Sequence, residues 1–170
     1  MFAKRNLIIA VCAAFAAQLG HVAPVAAQDL TYSSDITASC VAQAPDMNDQ
    51  LACIGASANA CMEDTPGGYS TYAMSGCLDR ELQYWDGLLN ENYSGAMTRA
   101  READEYMDGK PSETALRDMQ RAWITFRDAT CDYERALWGG GTGGGPATVG
   151  CLMRLTGTQA LYLADSRIGE

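Results

Sequence analysis

Between Pro111 and Trp138 the large apolar residues fall at Leu116, Met119, Trp123, Phe126, Tyr133 and Leu137, with Thr130 completing a three-four alternation. That rhythm is the stripe of a packed helix and fits no strand. Lys110-Pro111-Ser112-Glu113 suits a helix start, because proline is at home in the first turn and acids favour the positive helix end. The glycine run from Gly139 to Gly145 stops the pattern. An earlier helical pattern runs from Thr71 to Met107 through Leu78, Leu82, Trp85, Leu89, Tyr93, Ala96, Ala100 and Ala103. Gly87 and Gly95 lie inside it, and Asp108-Gly109-Lys110-Pro111 supplies a tight turn after it. Two long helices joined so closely should run antiparallel. A last helix is expected from Val149 to Ile168, burying Cys151, Leu152, Leu155, Leu163 and Ile168. No strand-period run and no internal repeat interrupts this, so the expected fold is all-α, a small antiparallel helical bundle stapled by disulfides.

Pro66-Gly67-Gly68 is the clearest boundary. Before it the chain predicts short, small-residue-rich helices. One spans Leu30 to Ala42; a second, capped by Asn48 or Asp49, runs to Met62 through Ile54, Ala58 and Cys61. This part has too few bulky apolar residues for a core of its own and needs fastening to the rest. The first residues read as an export signal: Lys4 and Arg5, the apolar run Leu7 to Ala17, then Val25-Ala26-Ala27 before Gln28. The apolar run falls short of the roughly 20 residues of a membrane span, and Val11 before Cys12 argues against a lipid anchor. The expected division is residues 1–27 as signal, 28–66 as a disulfide-tied N-terminal segment and 67–170 as the main helical domain.

Export alters two counts. Cys12 leaves, so seven cysteines become six: Cys40, Cys53, Cys61, Cys77, Cys131 and Cys151. An even number in an exported chain reads as three disulfides. Sequence alone does not choose among the pairings; nearest neighbours are preferred, Cys40–Cys53, Cys61–Cys77 and Cys131–Cys151, the last most firmly. No CxxC pair is present, so a thioredoxin-like redox site is unsupported. His21, the sole histidine, also leaves with the signal, which removes Ser-His and Cys-His nucleophiles and most zinc sites.

The formal charge is −9, and loss of Lys4 and Arg5 takes it to −11. Such a surface disfavours nucleic acid and anionic membrane as partners and favours a basic protein. The glycine run lacks the lysine and Ser/Thr of a phosphate loop and leads into Pro146-Ala147, so a connector or a recognition loop is expected there. The nearest calcium-loop pattern, from Asp104 through Asp108-Gly109, puts Tyr106 at its third position and Ala115 in place of the bidentate glutamate, and is rejected. No catalytic residues, metal or cofactor are expected.

Trp85-Asp86-Gly87-Leu88-Leu89-Asn90-Glu91-Asn92-Tyr93 resembles the D-x-x-L-N-x-x-Y segment of the lysozyme inhibitor LprI-like family. Gln120-Arg121-Ala122-Trp123-Ile124-Thr125-Phe126-Arg127-Asp128-Ala129-Thr130-Cys131 resembles its second signature, and a glycine-rich loop, Cys151 and a final helix follow in the family's order. The resemblance covers roughly residues 77–168. It implies a small helical protein of the periplasm or cell envelope. It also implies a partner such as a lysozyme or another basic wall-degrading enzyme, or else a different envelope protein held by a scaffold module. Gln159 stands where an arginine is common, which reads as a lost surface pair.

The signature residues Trp85, Asp86, Leu89, Asn90, Tyr93, Gln120, Trp123, Arg127 and Asp128 read as mainly structural. Trp85 and Trp123 should meet in a helix interface. Arg127 is a forked donor expected to pair with Asp86 or Glu81, and Asn90 and Gln120 should satisfy backbone groups or each other. Partner binding is placed on the exposed loop from Trp138 to Thr148, with Trp138 and Thr142 as its candidate contacts.

Overall fold

The computed structural model describes residues 29–164, and within them every regular element is a helix. They are α1 (Asp35–Gln43), α2 (Met47–Ala52), α3 (Ala56–Asp64), α4 (Thr71–Asp104), α5 (Ser112–Ala136) and α6 (Gly144–Ala164). The expected signal segment and Ile168 lie outside the described residues.

The 34 residues of α4 make a rod about 50 Å long at 1.5 Å per residue. Ser70 caps it through its side chain, which accepts from the amide of Ala73 at 3.2 Å. At the far end Asp104 accepts from the amides of Ser112 (2.6 Å) and Glu113 (3.1 Å), the first of α5. This is where α4 turns back into α5, antiparallel as expected. The amides hold the Asp104 carboxyl below its ordinary range. Arg101 and Arg117 both reach Glu113 at this corner, at 3.2 and 2.6 Å.

Helix α6 packs parallel to α4. Ser75 approaches Gly145, Leu78 approaches Gly150, and Trp85 lies against Gly157. Further on, Asn92 donates to the Ala160 carbonyl at 2.9 Å and Arg99 to that of Leu163 at 3.2 Å. Glycine is what permits the approach: a Cβ at position 157 would stand 3.1 Å from the Trp85 ring and 3.0 Å from Ile54. Trp85, Leu89, Ala96, Met153, Ala160, Leu161 and Leu163 form the buried core with Ala58. Helix α3 lies on α4, and α2 lies on α6.

Three disulfides close the structure, in the nearest-neighbour set: Cys40–Cys53 between α1 and the end of α2, Cys61–Cys77 between α3 and α4, and Cys131–Cys151 between α5 and α6.

Several expected boundaries move. The first helix begins at Asp35 rather than Leu30. The second is two helices, because Gly55 takes φ +102°, a left-handed conformation that ends the turn after α2 and starts α3. Its cap is Asp46, which accepts from Asn48 and Asp49. The last helix begins at Gly144, so Gly144, Gly145 and Pro146 belong to its first turn, not to a loop.

A candidate docking face on helix five and the carboxylate that braces the scaffold

Helix α5 carries more apolar surface than the bundle buries. Leu116, Met119, Trp123 and Thr130 of the expected stripe are half-buried. Phe126, Tyr133 and Leu137 are exposed to 59, 65 and 68%. The periodicity predicts a stripe that is core along its whole length, whereas in the structure its C-terminal half is surface. The rotation of the helix explains this. Gln120 and Cys131 are its two buried residues, and Cys131 lies about 140° round the helix from Phe126. Cys131 is bonded to Cys151, and Gln120 accepts at 3.0 Å from Gln159 of α6. Glu134 accepts from Arg154 of α6 at 2.9 and 3.1 Å. These ties hold the polar flank of α5 against α6 and turn Phe126 and Tyr133 outward.

Trp138 follows in the turn after α5 and is exposed to 52%. Its ring lies over Gly143, where any side chain would overlap it. Thr142 is exposed beside it. Backbone φ values of +52° at Gly139 and +90° at Gly140 make this corner one that glycine forms readily. Trp138 and Thr142 are thus brought to one accessible corner, fixed by the Cys131–Cys151 bridge on either side.

The signature residues divide. Trp85 and Leu89 are core, and Tyr93 packs at its margin. Asp86 and Asn90 are exposed and pair with each other along α4 at 3.3 Å. Arg127 does not reach Asp86 or Glu81; it pairs with its neighbour Asp128 at 2.8 Å and sits 5.0 Å over the Trp123 ring. Trp85 makes an edge contact with Tyr84, ring centroids 5.1 Å apart, and Trp123 packs half-buried against the core cluster that holds Trp85. Gln159, read as a surface residue, is buried against Gln120 and lies 3.4 Å from the Met119 sulfur.

The sequence offers Glu81 as an arginine partner, whereas the structure puts it at the centre of the scaffold. It is fully buried. One oxygen accepts from Gly55 N at 2.7 Å, Thr37 Oγ1 at 3.0 Å and Trp85 Nε1 at 3.0 Å. The other accepts from Ala58 N at 2.7 Å. Gly55 and Ala58 open α3, so a carboxylate on α4 caps a helix of the preceding segment. Thr37 is tied in by exchange with Ser57: its amide donates to Ser57 Oγ at 2.9 Å, and Ser57 N donates to its Oγ1 at 3.0 Å. Burial, and then the negative charge of Glu81, push Tyr32 up to about 12 and raise Tyr84. The sequence held one signal for this site: an acid four residues before Trp85 and four after Cys77, inside the buried stripe of α4.

The family model of the lysozyme inhibitor LprI matches residues 61–163, well over half the chain. The chain belongs to the LprI family. The LprI match takes in Cys61–Cys77 and Cys131–Cys151 but not Cys40–Cys53. A curated relative is described as an uncharacterized 17.7 kDa protein in the puhA 5′ region of Rhodobacter capsulatus. It is 28% identical over 140 residues, covering 79% of this chain and 86% of that one. No solved structure matches. Among the described residues no group of His, Cys, Asp and Glu could hold a metal ion, and no helix is long and apolar enough to cross a membrane.

Proposed function

We propose that this protein is an exported, non-enzymatic binder that blocks a basic wall-degrading enzyme of the lysozyme type. The observation that carries the reading is the exposed apolar surface of α5 and Trp138 within an LprI-family bundle. Exposed rings on a rigid helix are the usual anchors of a protein interface, since their burial on binding costs little conformational entropy. The −9 charge supports a basic target, because opposite net charges speed encounter. Three disulfides support a place in the periplasm or outside the cell. Trp138 and Thr142 remain the corner we assign to the mouth of the target's cleft. The segment before α4 serves as a brace for the bundle, a role supported by the donors it presents to Glu81.

The test is a wall-lysis assay with a basic animal lysozyme and the oxidised protein at rising concentration, in low and moderate salt. Stoichiometric inhibition at moderate salt is expected. Inhibition confined to low salt would mean charge attraction alone and would defeat the reading. Retention of a different envelope protein, with lysozyme left active, would point instead to a scaffold module.

A further inference from the structure

The exposed side of α5 is ordered in rows. Phe126 and Tyr133 are seven residues apart, as are Ala122 and Ala129 beside them, and Asp118 and Asp132 beyond those are fourteen apart, two such steps, with Thr125 between them. All six are exposed, and neither aspartate is in an ion pair among the described residues. Residues seven apart stack along one line of a helix, so these form an aromatic row, a small-residue row and an acidic edge. Alanines between bulky rings let a second helix come close, as in a coiled-coil seam.

We propose that this face docks an amphipathic helix of a basic protein, its apolar ridge on Ala122 and Ala129 against Phe126 and Tyr133, and its lysines or arginines on Asp118 and Asp132. The inference rests on the binder reading above and names the surface and the chemistry of its partner. A second copy of the chain fits poorly. Symmetric pairing would bring like acidic edges together on two bodies that each carry −9. A basic ridge meets the same edge with opposite charge.

Two measurements separate this inference from the reading it rests on. The first maps amide shifts of the isotope-labelled, oxidised protein titrated with a synthetic amphipathic helix bearing a leucine ridge edged by lysines. Shifts are expected at Ala122, Phe126, Ala129 and Tyr133, and not with the same peptide edged by glutamates. Shifts elsewhere, or equal response to both peptides, would overturn the docking face. The second measures affinity for basic animal lysozyme. Removing both rings (Phe126→Ala with Tyr133→Ala) is expected to weaken binding by at least about tenfold, the scale of losing interface anchors. Asp118→Asn with Asp132→Asn is expected to flatten its salt dependence. Unchanged affinity in the ring variant would sink the inference while the inhibitor reading stood. Failure of wild type to bind lysozyme would sink that reading and leave the peptide map to decide the face. Dimerisation in sedimentation that Tyr133→Lys abolishes would assign the face to a second copy and overturn the proposal.

Discussion

Glu81→Gln is the substitution that most directly tests the scaffold. The change keeps volume and shape and replaces an oxygen facing donors with an amide that is itself a donor. Glu81 accepts four hydrogen bonds in a fully buried site. If the amide turns toward Ala58 N, two donors face each other and α3 loses its outside cap. If it turns the other way, Gly55, Thr37 and Trp85 lose their shared acceptor. Ala58 is the less damaging side. A hydrogen bond to a charged group contributes about 1.5–3 kcal/mol, and an orphaned buried donor costs about 1–3 kcal/mol. One bond lost and the rest weakened gives a destabilisation of about 2–4 kcal/mol, a large share of the 5–15 kcal/mol typical of a domain.

Equilibrium denaturation in guanidinium, with disulfides intact and Trp fluorescence as the probe, reads this directly. Asp86→Asn is the control: the same chemistry on the same helix, exposed, with an expected change within about 0.5 kcal/mol. A Glu81→Gln protein within about 1 kcal/mol of wild type would refute the idea that this carboxylate holds α3 to α4. The second readout is Tyr32. With the Glu81 charge gone, its ionisation should move down from about 12, a change that mere loosening of packing far from the carboxylate would not single out.

Three other outcomes follow from the geometry. Tyr32 and Tyr84 are raised in the folded protein, so their contribution to stability is complete below the unfolded tyrosine value near 10 and is lost as pH climbs through their raised folded values, about 12 for Tyr32; ultraviolet titration should show both ionising above the ordinary tyrosine value, together with alkaline unfolding. Gly68→Ala should destabilise by at least about 2 kcal/mol in thermal melts, because its Cβ would strike the Met62 carbonyl, whereas Gly87→Ala, with nothing within 4 Å, should stabilise by about 0.5–1 kcal/mol. Removing the Cys131–Cys151 bridge as a pair of alanines should cost about 2–4 kcal/mol by the same melts, and a smaller loss would mean that Gln120–Gln159 and Glu134–Arg154 hold α5 in place by themselves.

Much of the architecture is legible in the sequence because its signals are local and agree. The breakers at 66–68 and 108–111 bound α4, and the start of α5 is marked by Pro111. The disulfides follow because neighbouring cysteines lie on elements joined by short connections. What the sequence does not show depends on how helices are rotated against one another. Periodicity shows that α5 has an apolar stripe but not how much of it a neighbour covers. Gln120, Cys131 and Glu134 decide that, and none is a large apolar residue. Gln159 looked like surface for the same reason. The burial of Glu81 is not legible because an acid in a helix is normally solvated; only its four donors, spread over Thr37, Gly55, Ala58 and Trp85, make burial tolerable.

The two discrepancies bear on each other. A bundle that needs a buried carboxylate to hold its N-terminal helices has little apolar surface to spare. Yet α5 leaves Phe126, Tyr133 and Leu137 in water. Rotating α5 to bury them would break the Gln120–Gln159 contact and draw Cys131 away from Cys151, whose Cα atoms stand 5.5 Å apart. The covalent bond thus fixes a rotation that hydrophobic burial alone would not choose. Once the bridge is broken, the Gln120–Gln159 and Glu134–Arg154 contacts are left to oppose a turn of the rings inward. A Cys131→Ala, Cys151→Ala protein should therefore expose less apolar surface to a dye such as ANS, provided that melts show it still folded. Greater dye binding by a folded variant would show that the exposed face is set by packing and not by the bridge.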